Sequence, residues 1–176
     1  MLSRNVYNQI ANFFWTMICF LPILSFWLNN GLDHWLYVFL ASSLTGLFLP
    51  GRLLDSLQLS KRPLFYKNTG VRGFQKFVQD GSWIRKLNHD SKSVRVRNRA
   101  DARNYLSTIA MYERYHFTCL IFFTETLIYG WDTRSWLWIA GVFVANLCYN
   151  IYPILLQQYN KIKVRGLLSR LPWPGS

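Results

Sequence analysis

The chain has 176 residues, a formal net charge of +12 and three cysteines. The cysteines, at positions 19, 119 and 148, fall far apart within apolar stretches, which excludes a disulfide framework and a cysteine metal site. The basic run from Arg95 to Arg103 lacks interleaved aromatic residues, which argues against nucleic acid as a partner. We therefore expect neither a metal centre nor a nucleic-acid interface.

Four apolar stretches follow one another along the chain, at residues 10–28, 35–50, 105–129 and 135–159. A helix needs about 20 apolar residues to cross about 30 Å of hydrocarbon, because every backbone polar group must be satisfied internally there. The first and fourth stretches meet this length without a charge. The second is short and the third carries charged residues, so either could be re-entrant. The pattern predicts an all-α integral membrane protein with about four transmembrane helices.

The charge pattern predicts the orientation and divides the chain. Most of the 20 Lys and Arg lie between residues 52 and 103, and a further group follows residue 160. Cytoplasmic loops collect Lys and Arg, so both termini and the segment 51–104 are expected in the cytoplasm, with the protein in the cell membrane. The predicted parts are two helical hairpins at 1–50 and 105–160, a basic amphipathic segment at 51–104 between helices 2 and 3, and a basic tail at 161–176. Anionic lipid headgroups are the expected partner of these charges.

The segment 51–104 carries more aromatic residues than a simple linker. Phe74, Phe77 and Val78 fall at i, i+3 and i+4, which places them on one helical face. Gly70 and Gly73 are expected breaks between short helices. The pattern is typical of amphipathic helices lying in the membrane interface. A small soluble domain is the alternative, although about 50 residues make a marginal core.

The third stretch holds the residues that favour catalysis. Glu113 and His116 lie three residues apart and share a helical face. An ionisable group at the centre of a membrane helix costs about 2.5–3.5 kcal/mol, so its presence suggests a use. A histidine whose tautomer is fixed by a carboxylate is a general base for activating a hydroxyl. In the alternative, both groups lie at the wet cytoplasmic end and Arg114 reaches to lipid phosphate. Glu125, about 18 Å further along, is expected to be structural.

The fourth stretch carries Asn146 and Asn150 at i, i+4, followed by Pro153. Proline removes one backbone hydrogen bond, so we expect a kink that frees the carbonyl of Tyr149. The two asparagines either join helices, at about 0.6 kcal/mol for each hydrogen bond, or belong to a site.

Three stretches of the chain resemble one family. Residues 150–161 read Asn-Ile-Tyr-Pro-Ile-Leu-Leu-Gln-Gln-Tyr-Asn-Lys, which is similar to the Asn-x-x-Pro…Gln-Arg-Tyr-Asn-Arg ending of the glycosyl-4,4'-diaponeurosporenoate acyltransferases. The stretch Glu113-Arg-Tyr-His116-Phe117 is similar to that family's Glu-x-x-His-aromatic stretch. The run ending Trp83-Ile-Arg-Lys86 is similar to its middle segment. The chain departs from the family pattern at four positions, which are Gly51, Met111, Gln158 and Lys161.

The resemblance implies a reaction and a set of site residues. The family moves a fatty acyl group onto the sugar hydroxyl of a glycosylated carotenoid, so this chain would use a similar amphiphile. His116 would be the base, oriented by Glu113, and Asn150 would polarise the acyl carbonyl or place the sugar. An acyl-CoA-like donor would be the co-substrate, with no resident cofactor. The implied substrate-binding residues are Trp83, Arg85, Lys86, Tyr159 and Asn160.

A second function class fits the composition. The chain holds 8 Trp, 10 Tyr and 13 Phe, which is many for a membrane protein of this length. These aromatic residues would suit a non-catalytic subunit that binds a pigment or lipid and packs against a larger membrane complex. Such a subunit would tolerate substitution of His116, whereas an enzyme would not.

Overall fold

The computed structural model describes residues 4–76, 98–133 and 136–172, and every regular element in these ranges is a helix. The α-helices in chain order are α1 (Arg4–Asn30), α2 (His34–Ser43), α3 (Gly51–Ser56), α4 (Pro63–Asn68), α5 (Val71–Phe74), α6 (Arg99–Gly130), α7 (Trp136–Asn146) and α8 (Tyr152–Leu168). Helix α2 continues as a 3-10 turn, Leu44–Phe48, and α6 as a second one, Trp131–Thr133. A π-helical turn, Leu147–Ile151, joins α7 to α8.

The two hairpin tips lie together at one end of the molecule. The first tip turns at Gly31, whose φ of +94° suits glycine. Asp33 then caps α2 by accepting a hydrogen bond from the Trp35 amide at 2.9 Å. The hydroxyl of Tyr129, at the end of α6, donates to the same carboxylate at 2.6 Å. This contact ties the first hairpin to the second.

Helix α2 and its 3-10 extension lie against α6. The Ser42 hydroxyl lies 2.6 and 2.7 Å from the two carboxylate oxygens of Glu125 and donates to this carboxylate, so Glu125 contributes to the contact between α2 and α6. Arg114 donates from Nε to the backbone carbonyl of Leu49 at 2.8 Å, so this guanidinium fixes the end of the 3-10 extension. The second apolar stretch therefore packs along the third.

A change of helix type lies where a kink was predicted at Pro153. The proline stands in the first turn of α8, directly after the π-helical turn. It has no N–H to donate to the carbonyl of Tyr149, so the regular α-helical ladder is interrupted there. The interruption lies beside His116 of α6, as described below.

The molecule has a main apolar core and two smaller ones. The main core joins α1, α6 and α7 and includes Phe26, Trp27, Phe123, Val142 and Tyr149. At the other end, Tyr66 of α4 and Val71 of α5 are fully buried against Leu156 and Tyr159 of α8. The third core packs Ala102 and Ile109 of α6 against Val164 of α8.

The segment after residue 50 therefore contacts protein at positions where a membrane surface was expected. Gly70, with φ +80°, is the predicted break between α4 and α5, whereas Gly73 lies inside α5. The ring of Phe74 stacks on Tyr152 of α8, with centroids 5.2 Å apart. Phe77 and Val78, the rest of the predicted apolar face, lie outside the described residues. Helix α6 begins at Arg99, ahead of the expected boundary at 104/105, and α8 continues past the boundary at 160/161.

Among the described residues, two helices are long and apolar enough to cross a membrane. They are Asn8–Asn30, with 23 residues, and Trp136–Leu168, with 33. Only 22% and 39% of their apolar windows are buried, whereas the core helix of a soluble protein would be mostly buried, so their exposed apolar faces favour a membrane. The apolar helix His34–Phe48 is shorter, and α6 carries charges, so the predicted count of four spans stays a prediction.

Candidate active site

Four charged side chains form an ionic cluster where α3, α6 and α8 meet. The Nζ atom of Lys161 lies 2.6 Å from Oε2 of Glu113 and 3.3 Å from Oδ1 of Asp55. Arg165, one turn further along α8, donates two hydrogen bonds to the Asp55 carboxylate, at 2.9 and 2.7 Å. The two positive and two negative charges balance, which is what a partly buried cluster requires.

Burial differs strongly within this cluster. The side chain of Glu113 is fully buried and that of Lys161 is 5% exposed, whereas Asp55 and Arg165 are about half exposed. Burial raises the pKa of Asp55, but the hydrogen bonds and charges of Arg165 and Lys161 outweigh that effect and hold the pKa below its ordinary value. Oε1 of Glu113 has no hydrogen-bond partner among the described residues.

A cavity of about 110 Å³ adjoins the ionic cluster. Asp55, Lys161 and Arg165 form its polar wall. Its remaining lining residues are small or apolar and are Gly51, Leu54, Leu106 and Ala110. A water molecule occupies about 30 Å³ in the liquid, so this space accommodates a few waters or a small polar group of a ligand.

His116 lies one turn beyond Glu113 on α6, against the π-helical turn. Its ring meets that of Tyr149 edge to face, with centroids 5.8 Å apart. The side chain of Asn150 and the backbone of Tyr149 adjoin the imidazole. Nδ1 of His116 and Oδ1 of Asn150 are buried, and neither has a hydrogen-bond partner among the described residues. The structure thus brings together two of the three predicted catalytic residues.

Glu113 has a different partner from the one that the sequence predicted. Helical spacing pointed to His116, but the carboxylate pairs with Lys161 and accepts no hydrogen bond from the imidazole. The physical reason is that a buried carboxylate gains more from a full positive charge than from a neutral ring. The expected orientation of His116 by Glu113 is therefore corrected, and Asn150 is the neighbour that adjoins the ring.

The two asparagines continue the polar contacts away from His116. Nδ2 of Asn150 donates to Oδ1 of Asn146 at 2.8 Å. Nδ2 of Asn146 donates to Oγ1 of Thr124 at 3.3 Å, and the Thr124 hydroxyl donates to the carbonyl of Leu120 at 2.7 Å. Asn150 is fully buried and Asn146 nearly so. These bonds join α6 to α7 and the π-helical turn in one connected chain.

The Tyr149 hydroxyl makes polar contacts with two other hydroxyl groups. The Tyr149 hydroxyl is 2.8 Å from Oγ1 of Thr16 and 2.8 Å from the hydroxyl of Tyr115. Thr16 belongs to α1, so the N-terminal helix contributes a polar contact beside the candidate site. No sequence pattern indicated this contact, because Thr16 stands alone in an apolar stretch.

The predicted substrate-binding residues fall into two groups. Trp83, Arg85 and Lys86 lie outside the described residues. Tyr159 is nearly buried against Tyr66, and Asn160 beside it is half-buried. The structure thus gives Tyr159 a packing role in the small core next to the ionic cluster.

Sequence reasoning missed three residues of this region: Asp55, Gln158 and Lys161. Gln158 is buried and holds the segment after α3, accepting from the Leu59 amide at 3.2 Å and the Tyr66 hydroxyl at 3.0 Å, and donating to the Leu57 carbonyl at 3.1 Å. Position 158 had been noted only as a departure from the family pattern. The available indication was the spacing of Gln158 and Lys161, which are three residues apart and so share a helical face.

Within residues 4–76, 98–133 and 136–172, no group of three or more His, Cys, Asp or Glu side chains could hold a metal ion. The expectation of no metal and no cofactor stays a prediction.

A family model described as glycosyl-4,4'-diaponeurosporenoate acyltransferase matches residues 50–170, which is more than half of the chain. The chain belongs to this acyltransferase family. The family resemblance found in the sequence is therefore confirmed. It assigns the chain to acyltransferases of carotenoid biosynthesis. No curated protein and no solved structure matches the chain.

The family segment includes both polar groups of the candidate site. Glu113 and Lys161 lie within the matched residues, as do His116 and Asn150. Thr16 precedes the matched segment, so its contact with Tyr149 comes from the part of the chain that the family model does not match.

Proposed function

We propose that this chain is a membrane-embedded acyltransferase that moves a fatty acyl group onto a hydroxyl of a glycosylated carotenoid or a similar amphiphile. The observation that carries the proposal is the contact of His116 with Asn150 inside the family segment. Polar side chains buried in an apolar helix bundle are costly, so a titratable ring held there by an amide supports a catalytic use.

His116 acts as the general base in this proposal. Its unprotonated nitrogen takes the proton of the acceptor hydroxyl while the hydroxyl oxygen attacks the carbonyl carbon of an acyl thioester. The new C–O bond forms a tetrahedral intermediate, which then loses the C–S bond. The departing sulfur receives the proton from the imidazolium. An ester and a free thiol leave, and His116 is neutral again.

Lys161 serves the same site through its charge. An ammonium group has three N–H donors, and Glu113 and Asp55 occupy two of them. The third is available to an oxygen of a ligand in the cavity that Lys161 lines. Glu113 then fixes Lys161 in place, and Asn150 acts on His116, so each predicted catalytic residue retains a part in the proposal.

The remaining expectations belong to the proposal as well. Trp83, Arg85 and Lys86 bind the phosphates of an acyl-CoA-like donor, and Tyr159 and Asn160 contribute to the substrate site. Both termini and the segment 51–104 face the cytoplasm, with their Lys and Arg at anionic headgroups. The grouping of α3, α4, α5 and α8 at the end opposite the two tips supports this arrangement.

The test is pigment and lipid extraction, followed by mass spectrometry, from cells that make a glycosylated carotenoid. The cells carry the wild-type gene, His116→Ala, His34→Ala or no gene. His34 is the matched control because it is exposed at the tips, far from the π-helical turn. We expect the acylated product with the wild type and His34→Ala only, and its unacylated precursor in the other two.

Equal profiles in all four strains, with the protein present in the membrane, would contradict the enzyme. They would favour the alternative of a non-catalytic subunit that binds pigment or lipid within a larger membrane complex.

A further inference from the structure

We propose that Asn146 and Thr124 are positioning residues that fix the tautomer of His116 through Asn150. The hydrogen of the imidazole is then held on Nδ1, and Nε2 keeps the lone pair. This inference rests on the proposed function only for the catalytic use of the tautomer. The tautomer itself is a property of the resting protein.

The direction of each hydrogen bond follows from Thr124. Its hydroxyl hydrogen is used by the carbonyl of Leu120, at 2.7 Å, so Oγ1 is left as an acceptor. The donor to Oγ1 must therefore be the NH₂ of Asn146, which lies 3.3 Å away. The carbonyl oxygen of Asn146 consequently points the other way, toward Asn150.

The orientation of the Asn150 amide follows from Asn146 in the same way. Oδ1 of Asn146 accepts at 2.8 Å, so Asn150 presents its NH₂ to Asn146 and its Oδ1 to the opposite side. That oxygen is buried without a hydrogen-bond partner among the described residues, and so is Nδ1 of His116. An amide oxygen only accepts, and the two side chains adjoin each other.

A hydrogen on Nδ1 therefore satisfies both buried atoms at once. Leaving them unpaired would cost the desolvation of each buried group without a compensating hydrogen bond. The backbone carbonyl of Tyr149, which Pro153 leaves without its helical donor, also adjoins the ring. It is a second acceptor and favours an N–H in the same way. His116 is half-buried as a residue while Nδ1 is buried, so its accessible surface belongs to its other atoms.

The fixed tautomer matters because a general base needs its lone pair toward the substrate. An imidazole with the hydrogen on the wrong nitrogen cannot take the proton of a hydroxyl, and general base catalysis is worth about 10²–10⁴-fold. Thr124 and Asn146 do not touch the reacting atoms in this scheme. They act through Asn150, and their loss should lower kcat more than it changes KM.

The test uses the full chain, labelled with ¹⁵N-histidine and held in lipid nanodiscs. The chain has three histidines, and the His116→Gln spectrum assigns the signal of His116. Variants are Thr124→Val, which keeps the shape at an exposed position, and Asn146→Leu. Thr108→Val is the matched control, since Thr108 is on the same helix and its hydroxyl makes the same type of bond, to the Asn104 carbonyl at 3.1 Å.

We expect a single Nδ1–H tautomer in the wild type and in Thr108→Val, and a mixture of tautomers in Thr124→Val and Asn146→Leu. The acyl transfer assay should show kcat lowered about tenfold in Thr124→Val, with KM changed less than twofold. An Nε2–H or a doubly protonated ring in the wild type at neutral pH overturns the inference, and so does a Thr124→Val spectrum identical to the wild type. The expected tautomers without any acyl transfer by the wild type would support the inference and contradict the proposed function instead.

Discussion

Nζ of Lys161 lies 2.6 Å from Oε2 of Glu113, with the side chain of Glu113 fully buried and that of Lys161 only 5% exposed. The pair joins α8 to α6 at the level where α3 and the cavity meet them. Each charge alone would be costly to bury, so the two side chains depend on each other.

Replacing Lys161 with methionine should destabilise the protein by about 3–5 kcal/mol, because Glu113 then remains as an uncompensated buried carboxylate. Equilibrium unfolding in detergent micelles measures the loss. The double variant Glu113→Leu, Lys161→Met should regain most of the stability, since apolar side chains of similar volume replace the pair. A Lys161→Met protein within about 1 kcal/mol of the wild type would contradict this dependence.

Gln158 offers a second test, at the contact between α8 and the segment after α3. Gln158→Leu leaves the Tyr66 hydroxyl and the Leu57 carbonyl without this partner, and each buried group that stays unpaired costs about 1–3 kcal/mol. The protein should lose global stability, and hydrogen exchange at the Leu59 amide, which donates to Gln158, should become faster. Gln157→Leu is the matched control, because Gln157 makes none of these three bonds. Unchanged exchange at Leu59 in Gln158→Leu would show that the segment is held by other contacts.

The parts of this fold that could be predicted are those governed by local sequence. Apolar stretches identified α1 and the α7–α8 unit, and Pro153 identified the interruption between α7 and α8, because length, hydropathy and a missing N–H act within one helix. The i, i+4 spacing of Asn146 and Asn150 likewise indicated neighbours on one face, and they are hydrogen-bonded.

Partners that come from a distant helix could not be predicted in the same way. Spacing favoured His116 as the partner of Glu113, but the competing cation is contributed by α8 and lies nearby only once the chain has folded. The amphipathic pattern of the segment after residue 50 showed that one face is covered. It could not distinguish lipid from protein as the cover, and Tyr66 and Val71 are in fact covered by α8.

The close approach of α6 to the 3-10 extension of α2 depends on Gly46. A Cβ atom at this position would lie 2.6 Å from the backbone nitrogen of Thr118, which is too close for any side chain. We expect Gly46→Ala to separate the two elements and to cost about 1–3 kcal/mol of stability, measured by thermal or denaturant unfolding. Gly166→Ala is the control, because nothing lies within 4 Å of its Cβ and alanine should stabilise α8 by about 0.5–1 kcal/mol. Equal stability of the two variants would argue against this contact.

Asp33 should give the tips a dependence on acid pH. The hydrogen bond from the Tyr129 hydroxyl is the largest cause that lowers the pKa of Asp33 from its ordinary 3.8; burial opposes it, and the Trp35 and Leu36 amides add to the lowering. A carboxyl group with a lowered pKa in the folded state contributes stability above the pKa of the unfolded chain and loses that contribution as the pH falls through the folded value.

The contribution of Asp33 should therefore be complete at neutral pH and decline only below about pH 4. Tyr129→Phe removes the first cause, so the decline should be smaller than in the wild type and should be complete at a higher pH. Unfolding measured from pH 6 downward, each curve taken relative to Asp33→Asn, isolates the effect from the other carboxylates. Tyr37→Phe, at an exposed tyrosine of α2, is the control and should give the same curve as the wild type. A Tyr129→Phe curve that coincided with the wild-type curve would show that the Tyr129 hydroxyl does not set the pKa of Asp33.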